Sequence, residues 1–341
     1  MNSRERVLTA LNHQTPDRVP LHAEFVRTIL QKLSSELNCK KEEVGLTLGN
    51  DVILLKPLTL YPAAATEALE TFQDEWGIVW KKVGNYYERT NFPLNSMDNF
   101  DGYTFPDPLA PHRFEGMEET IRKYQKNYVI IGNAVITIFE RAWWLRGMEK
   151  FMEDMLLNKD YANALLDKTL HFNLTASKKL VEMGVEMIWF GDDVGMQTRM
   201  LISPEMWREF LKPRYAKLIH EVKSMNPQLF VAYHSDGYIE PIIDELIEIG
   251  VDVLNPIQPQ CMEPTKMKQK YGKKLNFWGT IDVQHTLPFG TTEDVRQEVE
   301  LRIKTVGRDG GLILGPAHYV QADVPLENIY AFYEAAKKYQ Y

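Results

Sequence analysis

Leu229-Phe-Val-Ala-Tyr-His-Ser-Asp-Gly237 decides how the rest of the chain is read. A short apolar run rich in aromatic and β-branched residues stops abruptly at His-Ser-Asp-Gly, a turn-forming and polar end. A run apolar on both alternating positions suits a parallel strand covered on both faces. The polar end then marks the loop that leaves the sheet.

The same design recurs along the chain. Apolar runs of this kind predict strands over Arg18–Glu24, Asp51–Pro57, Tyr128–Val135, Met187–Asp192, Leu229–His234, Val251–Ile257, Leu275–Ile281 and Gly311–Pro316. Amphipathic stretches lie between them. Asp160–Met183 repeats leucine at helical spacing. Ser203-Pro-Glu-Met supplies a cap and a first-turn proline for a helix running to about Met225. Pro241–Ile249 ends at Gly250, Thr291 caps a helix over about Val295–Val306, and Pro325–Lys338 forms the last helix. Eight strands alternating with helices predict an α/β fold of the (β/α)₈ barrel type. The interval 58–126 after the second strand is too long for a plain connection. It holds Trp76-Gly-Ile-Val-Trp80 and Tyr86-Tyr87-Glu-Arg-Thr, a candidate hairpin, and reads as a cap over or beside the barrel mouth. The alternative is a surface excursion with no functional part. The whole chain is expected to be one domain.

Composition narrows the class. Of 341 residues, 44% are hydrophobic and 25% charged, enough apolar material for a large core. With 39 basic and 47 acidic residues the formal charge is −8, the opposite of what a non-specific nucleic-acid binder needs. Two cysteines, Cys39 and Cys261, indicate no disulfide framework. The polar start lacks the apolar core of a signal peptide, and no run is long enough to span a membrane. A soluble cytoplasmic protein is the expectation.

In a barrel the chemistry sits where strands end and the following loops begin. Here those ends are polar: His22 and Glu24; Asn133; Gly191-Asp-Asp193 with Gln197; His234-Ser-Asp236; Asn255, Gln258 and Cys261; Asp282 and Gln284; and Pro316-Ala-His318. Any one of these has an ordinary explanation as a helix cap or turn residue. Together they converge on one mouth if the barrel closes. His234, Asp236 and His318 offer two imidazoles and a carboxylate, a suitable set for Zn²⁺ or another divalent ion with an open position for substrate. Cys261 is a further soft ligand, or a small packed residue. The alternative is that both histidines hydrogen-bond a ligand or loop backbone. Asp192 and Asp193 are candidates to orient a ligand, hold a metal or act as a base, with capping of the following helix as the plainer task for one of them; Glu24 is a candidate catalytic residue whose role depends on the barrel closing. Asn133, Gln197, Asn255, Gln258 and Asp282 are candidate substrate contacts. Trp143, Trp144 and Arg141 read first as packing or rim residues. Their second reading is an aromatic substrate wall, to which Trp76, Tyr86 and Tyr87 would add.

The chain resembles the uroporphyrinogen decarboxylase superfamily, and within it the corrinoid-dependent methyltransferase branch. The marks are Pro16-Asp-Arg-Val-Pro20, Asp74-Glu-Trp-Gly77, Gly191-Asp-Asp193 leading to Ser203-Pro-Glu, His234-Ser-Asp-Gly237, Asn255-Pro-Ile-Gln258, Trp278-Gly-Thr-Ile-Asp282, and Gly315-Pro-Ala-His318 leading to Val324-Pro-Leu-Glu-Asn328. The resemblance implies a (β/α)₈ barrel and two competing chemistries. The decarboxylase uses an arginine-rich segment after its first strand. This chain has Leu21-His-Ala-Glu-Phe-Val-Arg27 there, with a carboxylate and one arginine. The methyltransferase branch binds zinc through a His-x-Cys pair and a later Cys. Those positions fall on His234, on Asp236 and near His318, so both expected thiolates are replaced by harder donors. The resemblance then implies the first methyltransferase of an anaerobic O-demethylase system. Such an enzyme moves a methyl group from a methoxylated aromatic compound to the Co(I) corrinoid of a partner protein. Tetrapyrrole decarboxylation and non-catalytic binding of a corrinoid or small ligand are the alternatives.

Overall fold

The structure, a computed structural model, describes residues 1–57, 69–83 and 86–339. Its strands are β1 (Val52–Leu55), β2 (Thr71–Gln73), β3 (Val79–Val83), β4 (Tyr86–Asn91), β5 (Val129–Val135), β6 (Met187–Gly191), β7 (Phe230–His234), β8 (Val253–Asn255), β9 (Asn276–Trp278) and β10 (Leu312–Ile313). Seven of them form one sheet in the order β1-β5-β6-β7-β8-β9-β10, every pair parallel. Each lies inside a predicted run.

The eighth stave closes the barrel without being a regular strand. The predicted strand Arg18–Glu24 makes only isolated parallel bridges, Leu21 with Leu314 and Phe25 with Val320. On that side its backbone is bonded to the β10 stave: His22 N donates to Leu314 O and Leu314 N to Pro20 O. On the other side side chains do much of the work of a ladder. Asp51 accepts the Leu21 N–H at 2.8 Å, and Asn50 exchanges two hydrogen bonds with the Ala23 backbone. Pro20 has no N–H to give the β10 stave, so the backbone donors on that side begin at His22. Asp51 is fully buried and bound by Arg6 and Arg18 at 2.8 and 2.7 Å, so the seam is tied by charge.

Inside the barrel lie Val52, Val129, Ile131, Met187, Trp189, Ala232, Val253, Trp278 and Ile313, and Val7 and Leu11 join them from the N-terminal helix Ser3–Leu11. The opposite faces of the strands pack on the surrounding helices. The helices fall where periodicity put them: Lys159–Glu182, Pro204 to Met225, Ile243–Glu248, Thr292–Arg302 and Leu326–Lys338. Ser203 and Thr291 accept the N–H bonds expected of caps. A π-turn interrupts the second of these helices at Trp207–Leu211. Pro213 follows after Lys212, and its missing N–H accounts for the widened turn.

Residues 58–68 and 84–85 of the long interval, and the side chain of Tyr86, lie outside the described residues. The remainder holds the predicted hairpin, β3 and β4, extended by β2 into a three-stranded antiparallel sheet. Asp74 is its turn staple, accepting from Trp76 N, Ile78 N and Trp80 Nε1. The hairpin packs on the helix Phe139–Arg146: Trp80 meets Trp144 edge-on at 5.5 Å, and Arg89 lies over Trp143 and Trp144. Among the described residues no helix is long and apolar enough to cross a membrane.

Candidate active site

A cavity of about 660 Å³ opens at the C-terminal ends of the strands. Side-chain alternation decides who enters it. In β6 the inward series Met187, Trp189 continues through Gly191 to Asp193; in β7, Ala232 continues to His234 and Asp236. Asn133, Asn255, Trp278 and His22 arrive in the same way from their own staves. Trp189 and Trp278 lie 4.5 Å apart between ring centroids, with His22 edge-on to Trp278 at 5.0 Å and His234 edge-on to Trp189 at 5.6 Å. Burial pushes His22 down to about 4, so its ring is neutral.

Asp193, His234 and Asp236 each bring a donor atom to one point, all within 4.8 Å of one another. His234 Nε2 is 3.6 Å from Asp193 Oδ1 and 4.0 Å from Asp236 Oδ1. His318, from the loop after β10, comes within 3.6 Å of Asp236 Oδ2. The Asn255 amide donates to Trp278 O at 3.0 Å, which turns its Oδ1 toward His234 Nδ1 at 2.7 Å. Nδ1 therefore carries the proton, and the Nε2 lone pair faces the carboxylates. Burial opposes charge on His234, yet Asp236, Asp193 and the Asn255 bond hold it above its ordinary value. Burial, helped by Asp193, raises Asp236. The group wants a cation. Donors around a tetrahedral zinc stand roughly 3.3 Å apart, from metal–ligand distances near 2 Å, and the two spacings from His234 Nε2, 3.6 and 4.0 Å, are somewhat wider. These residues fit a divalent ion. Gly191 makes the approach possible: a Cβ there would lie 2.2 Å from the His234 carbonyl oxygen.

Asp192 points the other way. It is fully buried between barrel and helices, where it accepts hydrogen bonds from Ile138 N, Phe139 N, Glu140 N and the Tyr215 hydroxyl. Burial pushes its carboxyl up to about 6 against those donors. It caps the helix Phe139–Arg146, which belongs to the preceding strand rather than to its own. It does not line the cavity. The loop it pins carries Ile136, a β-branched residue held at φ 68°, and both Ile136 and Glu140 line the cavity. Burial, then Asp193 and Asp192, hold the Glu140 carboxyl well above the usual range, and its Oε2 accepts Asp193 N at 3.2 Å.

Across the mouth, Glu24 reaches the cavity as the sequence suggested, paired with Lys56 at 2.6 Å. Lys56, Glu140, Trp189 and Trp278 were not singled out from the sequence. Trp189 sits inside a continuous apolar run that shows no alternation, Trp278 beside another apolar ring in a short mixed run, and the first two look like ordinary surface charge. Several expected contacts fall elsewhere. Gln197 is on the exposed rim, 3.4 Å from Gln284. Gln258 accepts Gly237 N at 3.1 Å and holds the loop after β7. Asp282 is buried below its own loop, accepting from Gln260, Gln284 N and His285 N. Cys261 stands near Asp236, and burial raises its thiol, which keeps it protonated. The aromatic wall is corrected: Trp143, Trp144, Trp76 and Tyr87 do not line the cavity. The helix Phe139–Arg146 turns Trp143 and Trp144 onto the hairpin, Trp76 packs on Phe172, and Tyr87 on Phe72.

A family model described as uroporphyrinogen decarboxylase (URO-D) matches residues 86–339. The chain is 25% identical over 249 residues to methylcobamide:CoM methyltransferase MtaA of Methanosarcina barkeri, covering 71% of this chain and 69% of that protein. It is 24% identical over 245 residues to methylated-thiol–coenzyme M methyltransferase of Methanosarcina mazei, covering 70% and 63%. A uroporphyrinogen decarboxylase of Crocosphaera subtropica matches at 22% over 158 residues, 46% of this chain and 42% of that one. The chain thus spans less than two thirds of the second and third of these relatives. Among solved structures, a methyltransferase from Methanosarcina mazei superposes with a TM-score of 0.75 at 20% identity over 99% of both chains, which shows a shared fold.

Proposed function

This chain belongs to the uroporphyrinogen decarboxylase (URO-D) family, and from that premise we propose that it is a corrinoid-dependent methyltransferase whose methyl donor is a methoxylated aromatic compound. The acceptor is the Co(I) corrinoid of a separate protein. The observation that carries the reading is the donor set of Asp193 and His234, which line the cavity, with Asp236 beside them, which offers nitrogen and oxygen only. Hard donors suit an ion, zinc by expectation, that meets an oxygen of the substrate.

An aryl methyl ether gives up its methyl group poorly because the phenolate is a poor leaving group. A divalent ion would be held by Asp193, His234 and Asp236, with His318 beside them, and would supply Lewis acidity for the ether oxygen. The chain's own residues prepare the rest. Asn255 fixes the His234 tautomer. Trp189 and Trp278 offer ring surface for the aromatic part and exclude water from it. Glu140, whose carboxyl is held well above the usual range, lines the cavity and accepts the Asp193 N–H. The open mouth is left for the corrinoid protein.

The test combines metal analysis with turnover. Purified protein is expected to hold one divalent ion, and His234→Ala or Asp236→Ala to empty the site. With cob(I)alamin and a panel of methoxybenzenes, methylated thiols, methylamines and methanol, methylcobalamin should form from the methoxybenzenes, seen in the visible spectrum. Methylation from the other donors alone would remove the ether assignment. Inertness toward all donors would favour a binding protein, and rapid formation of coproporphyrinogen from uroporphyrinogen would favour decarboxylation.

A further inference from the structure

The two carboxylates of the donor set stand on separate loops, and the chain laces those loops together. Asp193 follows β6 and Asp236 follows β7. Like charges this close repel, so without an ion between them something else must hold the loops. In His234-Ser-Asp236 strand alternation puts the outer two side chains on one face and Ser235 on the other. Ser235 is fully buried there. Its Oγ accepts Val194 N at 3.0 Å and donates to Asp236 O at 3.2 Å, so one hydroxyl bonds both loops. Its N–H donates at 3.0 Å to the carbonyl oxygen of Asn255, the residue that orients His234.

Backbone contacts complete the lacing. Asp236 N donates to Asp193 Oδ1 at 2.8 Å, and Tyr238 N to Met196 O at 2.7 Å. The loop after β6 is stiffened by folding back on itself: Leu201 N donates to Val194 O and Met196 N to Arg199 O, both at 2.7 Å. Where the loops cross, only glycine fits at Gly195. Its φ lies outside the left-handed region, yet a Cβ would stand 2.3 Å from the Asp236 carbonyl oxygen. Neither Ser235 nor Gly195 lines the cavity, so any part they play is played through the donor residues.

We propose that Ser235 is a positioning residue: with the crossing at Gly195 it fixes the Asp193 and Asp236 carboxylates at a separation that fits a divalent ion, so that the protein builds the site and the ion does not have to gather it. The ion rests on the function proposed above; the lacing of the loops does not. Ligands held in place beforehand lose little freedom on binding, which raises affinity and selects for geometry.

The test uses the full-length protein, stripped by chelator and then reloaded with Zn²⁺ or Co²⁺. In the stripped wild type the Val194, Asp236 and Tyr238 amides are expected to exchange hydrogen at least about a hundredfold more slowly than in an unstructured peptide. Faster exchange than that would overturn the inference, since the chain would not be holding the loops; this measurement requires no variant to fold. Ser235→Ala and Gly195→Ala leave every ligand in place. Each should lower Zn²⁺ affinity about 10–100-fold in competition with a chelator and change the visible spectrum of the Co²⁺ form. A lower Tm with wild-type affinity and an unchanged Co²⁺ spectrum would make the serine merely structural and also overturn the inference. A wild type that binds neither ion would remove the metal from the proposed function and the serine's role with it. Protein that is laced and binds Zn²⁺ as expected but demethylates no donor would refute that function and leave this inference standing.

Discussion

Replacing Asp192 by asparagine separates a pin from a ligand. The Asp192 carboxylate accepts from three successive backbone N–H groups at 2.8 to 2.9 Å and from the Tyr215 hydroxyl at 2.6 Å, with no exposure to solvent. An asparagine has one acceptor oxygen, and its NH₂ would face donors. About two of the four donors lose their partner, and hydrogen bonds to a charged group contribute ~1.5–3 kcal/mol each. Relief from burying the charge offsets part of this, leaving a loss of about 3 kcal/mol. The unfolding entropy of a chain this long turns that into a Tm lower by roughly 4 °C. The loop at Ile136, whose left-handed backbone costs ~1–3 kcal/mol in strain, loses its tether in the same step. The measurement is urea and thermal unfolding at pH 8, where the carboxyl is ionised, paired with metal analysis of the folded variant. The expected result is a destabilised protein that keeps its metal. Wild-type stability with an emptied metal site would refute the reasoning and return Asp192 to the ligand set.

Asn255→Leu should weaken metal affinity about 10–100-fold, measured by competition with a chelator, because His234 Nδ1–H loses its acceptor; Asn255→Asp should restore it, and unchanged affinity in the leucine variant would sink the tautomer argument. His22 is neutral in the fold, down at about 4 against an ordinary 6.5, so its contribution is complete above pH 6.5 and is lost as pH falls toward 4. At pH 5 that loss is about 2 kcal/mol, or roughly 3 °C in Tm. His22→Gln should flatten the pH dependence of Tm between 7 and 5, and an equally steep profile in the variant would exclude His22 as its source.

The barrel strands were legible because each is an apolar run ended by polar residues, and every strand of the seven-stranded sheet lies within its predicted run. The same continuity hid the site. A strand buried on both faces shows no alternation, so the run around Trp189 did not say which residues face inward. Asp192 and Asp193 were equivalent as letters. The phase of β6 makes Asp193 a neighbour of His234 and turns Asp192 toward helix N–H groups. His234, Asp236 and His318 could be named in advance because two histidines and a carboxylate at strand ends are chemically conspicuous. Lys56 could not, since a lysine before a proline looks like solvent-exposed charge until the closing stave brings Glu24 beside it.

By itself the sequence determined the strand and helix pattern, the polar strand ends and the kinds of atom available for a metal. Those follow from local properties: hydrophobic periodicity, caps, and side-chain chemistry. Only the tertiary structure decided which of those atoms meet. Facing is set by the strand phase and by a closing stave bound on one side largely through the Asn50 and Asp51 side chains. Both depend on contacts between residues far apart in the chain, which no local pattern encodes.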